Sequence, residues 1–201
     1  MALLLSKTFL FERKVLSKEN KNDKVLKMFN IDYDDGIVIL GKRGSGKTTL
    51  IKQIVKNMPR KVIIDIINNL HSLYNKDMYD RYFLANPHTT DLYLADVKSN
   101  SYLILDEADR IYYSERLQEL INLGRNWNIG YVASARRTAN INKDYLANAK
   151  HLFIFKHKLP QDVKMLTEWI GDEINIVMNL QQYEFCYFVN EEYIGKYKLT
   201  I

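Results

Sequence analysis

Eight consecutive residues concentrate the chemistry of this chain. Gly41-Lys42-Arg43-Gly44-Ser45-Gly46-Lys47-Thr48 satisfies the pattern G-x-x-x-x-G-K-[ST] at every position. These residue types suit one task, holding a chain of phosphates. Glycines let backbone N–H groups close around phosphate oxygens, the Lys47 amine neutralises the β/γ charge, and the Thr48 hydroxyl is a ligand for Mg²⁺. Thr49 extends the run into a helix whose positive dipole end faces the same anion. At average residue usage the pattern arises by chance in roughly one chain in a hundred of this length. A glycine-rich turn that binds nothing is the competing reading. Against it, the loop follows the apolar run Ile37-Val38-Ile39-Leu40 and precedes helical spacing of Leu50, Ile51, Ile54 and Val55. The expected ligands are ATP and Mg²⁺.

A second cluster ends another apolar run, Leu103-Ile104-Leu105-Asp106-Glu107. Asp106 at a strand tip can face a metal through water, and Glu107 can polarise an attacking water. Kinases and small GTPases do not usually carry that glutamate; hydrolytic motors do. The plainer alternative is a strand-to-helix junction with Asp106 or Asp109 as N-cap. Asp106-Glu107-Ala108-Asp109 also spells the four letters of a DEAD-box helicase. Such an enzyme needs two RecA-like domains and an arginine-rich motif, and 201 residues offer neither.

These residues need a frame that brings strand ends together. With 47% apolar and 26% charged residues, the chain has an ordinary globular composition. The single cysteine, Cys186, excludes an intramolecular disulfide or a cysteine zinc site. No apolar run approaches the ~18 residues of a membrane span, so stable transmembrane insertion is not expected. The pattern predicts buried strands at 37–40, 62–67, 92–94, 102–105, 129–134 and 152–155. Helices are expected at 47–57, 70–85, 114–127 and 161–170, a short helix or loop at 141–149, and a terminal hairpin at 183–199. Apolar strands alternating with helices give an α/β fold, a mostly parallel sheet covered on both faces. A strand at 92–94, between the loop helix and the acidic strand, points to the RecA-like (ASCE) division of three-layer P-loop NTPases. The domain division is residues 1–35, a basic extension, and 36–201, the P-loop ATPase domain. The lysine-rich part of the extension, 11–28, reads as an amphipathic helix or a mobile arm; it could bind DNA or a shell protein, but a solvated face is the plainer use.

Past the acidic strand, Gly124-Arg125-Asn126-Trp127-Asn128-Ile129-Gly130-Tyr131-Val132-Ala133-Ser134-Ala135-Arg136-Arg137 resembles the FtsK/HerA superfamily of DNA-pumping ATPases. The likeness is greatest to the short genome-packaging ATPases of membrane-containing icosahedral viruses, archaeal ones among them, and spans about residues 36–190. It implies a homo-oligomeric ring, commonly a hexamer, with ATP between subunits and double-stranded DNA in the channel. It further implies a capsid or internal-membrane protein as partner, and action in the host cytoplasm or at the packaging vertex of the virion. Arg125 would then complete the neighbour's site as a trans-acting finger; a helix-end cation favouring the dipole is its plainer use. At the strand tip the family usually has a glutamine sensor, and this chain has Arg136. A guanidinium can contact a γ-phosphate but cannot accept a hydrogen bond from water.

The remaining candidates have weaker signals. His71, His88, His151 and His157 show no metal spacing. Tyr112, Tyr113 and Trp127 could stack on bases, although helix packing is the commoner use. Lys156, His157 and Lys158 are candidates to line a channel. The function expected is a Mg²⁺-dependent ATPase that translocates double-stranded DNA in viral genome packaging. The alternatives are a secretion, conjugation or phage-assembly ATPase of the Zot-like group, or a slow ATP-dependent assembly switch.

Overall fold

A computed structural model describes residues 28–199 and the backbone of Lys14–Val15. The lysine-rich segment 11–28 otherwise lies outside the described residues, apart from Met28. The elements run β1 (Lys14–Val15), β2 (Gly36–Leu40), α1 (Lys47–Val55), β3 (Lys61–Asp65), β4 (Arg81–Leu84), α2 (Asp91–Leu94) and β5 (Tyr102–Leu105). They continue as α3 (Glu115–Leu123), β6 (Gly130–Ala135), α4 (Lys143–Ala147), β7 (His151–Phe155), α5 (Pro160–Ile170), β8 (Glu184–Val189) and β9 (Glu192–Lys198). They build one sheet in the order β1-β9-β8-β7-β2-β6-β5-β3-β4.

From β7 to β4 every pairing is parallel, and β8 and β9 add an antiparallel hairpin beside β7. The run Ile37-Val38-Ile39-Leu40 is apolar throughout because both faces of β2 are covered. Ile37 and Ile39 pack towards α1, which buries Leu50, Ile51, Ile54 and Val55. Val38 and Leu40 point the other way, into a core shared with Leu117 and Leu120 of α3, Leu146 of α4 and Leu166 of α5. Two apolar layers on one sheet make the three-layer architecture. Each fully buried aliphatic side chain contributes about 1.5–3 kcal/mol to it. Before β2, Phe29 packs edge-on against Phe153, Tyr187 and Tyr197.

Two expectations need correction. Residues 92–94 are not a strand; they form the short helix α2, with Leu94 buried and Leu92 74% exposed. The strand of this region is β4, inside the stretch expected to be helical, which otherwise holds only 3₁₀ turns at His71–Leu73 and Lys76–Met78. An extra strand does separate the two motif strands β2 and β5, but it is β6, which comes later in the chain.

Candidate nucleotide site

Helix α1 opens without a side-chain cap. Its N-cap is Gly46 in the left-handed region (φ 111°), with no side-chain cap hydrogen bond, and no acidic residue occupies its first turn. The leading N–H groups and the helix dipole are left for an anion. Gly44 (φ 76°) needs glycine for its conformation, and a Cβ built there would meet nothing within 4 Å. At Gly46 a Cβ would come within 2.8 Å of Leu199.

Three observations fit this cradle to a polyphosphate. The Ser45 hydroxyl is buried with no partner among the described residues. The Lys47 amine is buried and donates to the Gly41 and Lys42 carbonyls at 2.7 and 3.3 Å, weak substitutes for phosphate oxygens. Burial pulls that amine below the usual lysine range, opposed by the nearby Asp106 and Glu107 carboxylates.

The parallel register brings the acidic residues to the same end of the sheet. Leu40 and Leu105 lie opposite Ala135 and Ala133 of β6, so the tips of β2 and β5 flank the tip of β6. Thr48 Oγ1 donates to Asp106 Oδ2 at 3.4 Å, a pairing able to hold Mg²⁺ between hydroxyl and carboxylate. Burial raises the Asp106 carboxyl, while a hydrogen bond from the Ser134 hydroxyl and the Lys47 charge lower it. Among the described residues no group of three or more His, Cys, Asp or Glu could hold a metal by itself. Phosphate oxygens would have to complete the shell.

Glu107 follows in the left-handed region (φ 59°), a strained conformation for a non-glycine residue and one that collects at functional sites. Its N–H donates to Asp106 Oδ1 (3.1 Å) and Ser134 Oγ (3.3 Å). Its carboxylate is bound on one oxygen by Arg136, with Nε at 2.6 Å and Nη2 also paired, and on the other by Arg110 at 3.2 Å. The strand-tip backbone is fixed as well. Asp109 Oδ2 accepts the Arg136 and Arg137 N–H groups at 3.3 Å each. The buried Asp162 accepts from Arg137 Nε at 2.9 Å and the Ala139 N–H at 3.1 Å.

Lys42 and Arg43 are exposed on the loop. With Lys156, Lys158, Gln182 and Tyr183 they border a cavity of about 330 Å³ on the β7–β8 side. His157, a candidate channel residue, is buried instead. Its Nδ1 bonds the Phe155 carbonyl at 2.9 Å, Nε2 lies 3.4 Å from Thr138 Oγ1, and burial lowers its pKa. Tyr112 is exposed, whereas Tyr113 packs edge-on against Tyr145.

Arg125 does not join the site. It lies in the turn before β6, 73% exposed, and pairs with Asp34 at 3.1 Å beside a polar cavity of about 370 Å³. That is the end where the parallel strands begin, whereas the loop, Asp106 and Arg136 lie where they finish. The six residues of β6 separate the two ends by roughly 20 Å at ~3.3 Å per residue. Ser134, Arg110, Asp109 and Asp162 are the site residues that reasoning from motifs missed. Arg110 had a visible cue in its i+3 spacing from Glu107; the others meet only through sheet order.

The chain matches the AAA domain family over residues 33–154, more than half its length. The chain belongs to this family. This AAA domain is an ATPase of the P-loop type, in keeping with the loop and acidic pair just described. It is 24% identical over 155 residues to the uncharacterized protein 075L of Invertebrate iridescent virus 6. That match covers 68% of this chain and 60% of the relative, so the chain spans about three fifths of its length. The genome packaging NTPase B204 of Sulfolobus turreted icosahedral virus 2, solved with ATP-gammaS, superposes with a TM-score of 0.73 at 19% identity, covering 85% of this chain and 100% of that one. The DNA-packaging ATPase B204 of Sulfolobus Turreted Icosahedral Virus gives 0.68 at 22%, covering 84% and 98%. The pCW3 conjugation coupling protein TcpA gives 0.54 at 12%, covering 83% and 60%. At these identities the likeness shows the fold alone, a P-loop core with a terminal antiparallel hairpin.

Proposed function

We propose that this AAA domain is a Mg²⁺-dependent motor that moves double-stranded DNA into a viral capsid, working as a homo-oligomeric ring. The observation that carries the catalytic part is the meeting of Thr48, Asp106 and Glu107 at one end of three adjacent strands, beside a loop with an unpartnered Ser45 hydroxyl. The packaging part is supported by a fold in which 85% of this chain matches the whole of a packaging NTPase.

In this reading the loop N–H groups, Ser45 and Lys47 hold the phosphates. Thr48 and Asp106 would hold Mg²⁺, which would supply positive charge to the phosphates. Glu107 takes the proton of the attacking water once an oxygen of its carboxylate is free. Because the acidic residues come from β5, the γ-phosphate points to that side. The nucleoside then extends towards β7 and β8, over the cavity edged by Lys156, Gln182 and Tyr183.

Arg125 is too distant to serve its own site, so as a finger it serves only a neighbour's. A capsid or internal-membrane protein would anchor the ring at the packaging vertex, in the host cytoplasm. Among the described residues no helix is long and apolar enough to cross a membrane. The test is ATP turnover with and without linear duplex DNA. A motor is stimulated by DNA of any sequence, with Lys47→Ala inactive throughout. Turnover indifferent to DNA would favour an assembly switch.

A further inference from the structure

A carboxylate that activates water needs an oxygen open to the water's hydrogen. Glu107 is 3% exposed and both its oxygens are engaged: Arg136 places two N–H groups on one and Arg110 one on the other. The two arginines differ in what holds them. Arg110 sits three residues along the same turn. Arg136 reaches across from β6, with its backbone N–H tied to Asp109 and its guanidinium a third exposed. Its side chain can therefore move while the strand tip stays in place. The residue before Arg136, Ala135, lies opposite Leu40 and accepts the Gly41 N–H at 3.1 Å, so Arg136 leaves the strand tip beside the first residue of the phosphate loop. A γ-phosphate carries more negative charge than one carboxylate and is a matching acceptor for a guanidinium.

We propose that Arg136 is a positioning residue that exchanges partners: it holds Glu107 while the γ-phosphate position is empty and transfers to the γ-phosphate when ATP binds. The transfer opens one Glu107 oxygen to water, and Arg110 keeps the other and fixes the carboxylate plane. The base is thus unavailable until a triphosphate arrives. Arginine suits this double duty better than glutamine, which forms no ion pair with the base. The proposal rests on the P-loop reading of the site and gives Arg136 a role on both sides of the binding step.

Exchange has a thermodynamic signature. Reaching the γ-phosphate requires Arg136 to give up Glu107, so the two residues are coupled in triphosphate binding and uncoupled in diphosphate binding. The experiment is a double-mutant cycle of the full chain, with wild type, Glu107→Gln, Arg136→Gln and the double variant. Each is titrated calorimetrically with Mg²⁺ and either AMPPCP, which is not hydrolysed, or ADP. Arg136→Gln is expected to weaken AMPPCP about tenfold more in the Glu107→Gln background than in the wild-type background, because there the guanidinium surrenders no carboxylate. ADP shows no such coupling. The same cycle with Arg110→Gln is additive, since in the exchange Arg110 keeps its Glu107 oxygen in both states.

Additive effects of Glu107 and Arg136 on AMPPCP, or equal coupling with ADP, would overturn the exchange. Long-range charge effects alone add and so cancel in the cycle. Should Glu107→Gln fail to fold, Glu107→Ala takes its place in the same cycle. Failure of the underlying reading looks different: Lys47→Ala would then bind both nucleotides as wild type does.

Discussion

At the residue scale the proposed hydrolysis rests on Lys47, Asp106 and Glu107. Lys47→Ala removes the buried amine from the phosphate cradle and should abolish hydrolysis. Glu107→Gln should bind triphosphate at least as tightly as wild type, because Arg136 then surrenders no carboxylate, while turnover falls about 10²-fold or more, the usual contribution of a general base. Steady-state turnover within about threefold of wild type would remove Glu107 from that role. Asp106 predicts a trade between activity and stability. Burial raises its folded-state pKa, so the unfolded chain ionises it at lower pH than the folded one does. The cost to the fold is absent below the ordinary carboxylate range and grows as pH rises through the raised value. Asp106→Asn should therefore melt higher than wild type at pH 7 without nucleotide, by about 0.5–2 kcal/mol, and be inactive. The two melting curves should converge in acid; a lower melting point for the variant at pH 7 would contradict this. The loop and acidic pair were legible because phosphate geometry dictates their spacing within a few residues of chain. Ser134 was not, since its contact with Asp106 depends on β6 lying beside β5, and Arg110 left only its i+3 spacing from Glu107 as a cue.

At the element scale β6 is the strand on which the site is assembled. It separates the motif strands, and its tip supplies Ser134 and Arg136. Its first residue, Gly130, is closed in by backbone and ring. A Cβ there would lie 2.3 Å from the Tyr33 carbonyl oxygen and 2.5 Å from the Tyr102 ring. Gly130→Ala should therefore destabilise the domain by about 1–3 kcal/mol, as overpacking does, read as a lower denaturation midpoint with an unchanged slope. Wild-type stability in that variant would mean β6 is not so confined. Most elements were legible, because strands buried on both faces read as continuous apolar runs and the surface helices as stripes. The failure at 81–94 has a physical cause. β4 is an edge strand exposed at both ends and pairing on one side, so Arg81-Tyr82-Phe83-Leu84 lacks the apolar signature. Leu92-Tyr93-Leu94 imitates a strand, but three residues cannot separate a period of two from one of 3.6. In the structure Tyr93 stacks on Phe83 at 4.5 Å, so the helix packs against the strand it was mistaken for.

At the scale of the whole molecule, the placement of Arg125 makes assembly testable. Arg125→Ala should bind ATP, fold normally and hydrolyse poorly, since losing an exposed helix-end cation costs only about 0.3–1 kcal/mol. Mixing it with Lys47→Ala should restore turnover at interfaces that combine an intact loop with an intact neighbouring arginine. Co-assembly without restored activity would deny Arg125 a role in trans. Grip on DNA should be independent of sequence and fall steeply between ~50 and ~200 mM salt, as phosphate contacts release counterions. Movement along DNA is the central claim, and displacement of a triplex-forming strand from linear duplex DNA measures it directly. The wild-type chain should release the third strand only with ATP and Mg²⁺, and Lys47→Ala should release none. A wild-type protein that binds the duplex and hydrolyses ATP while the third strand stays in place would contradict the account.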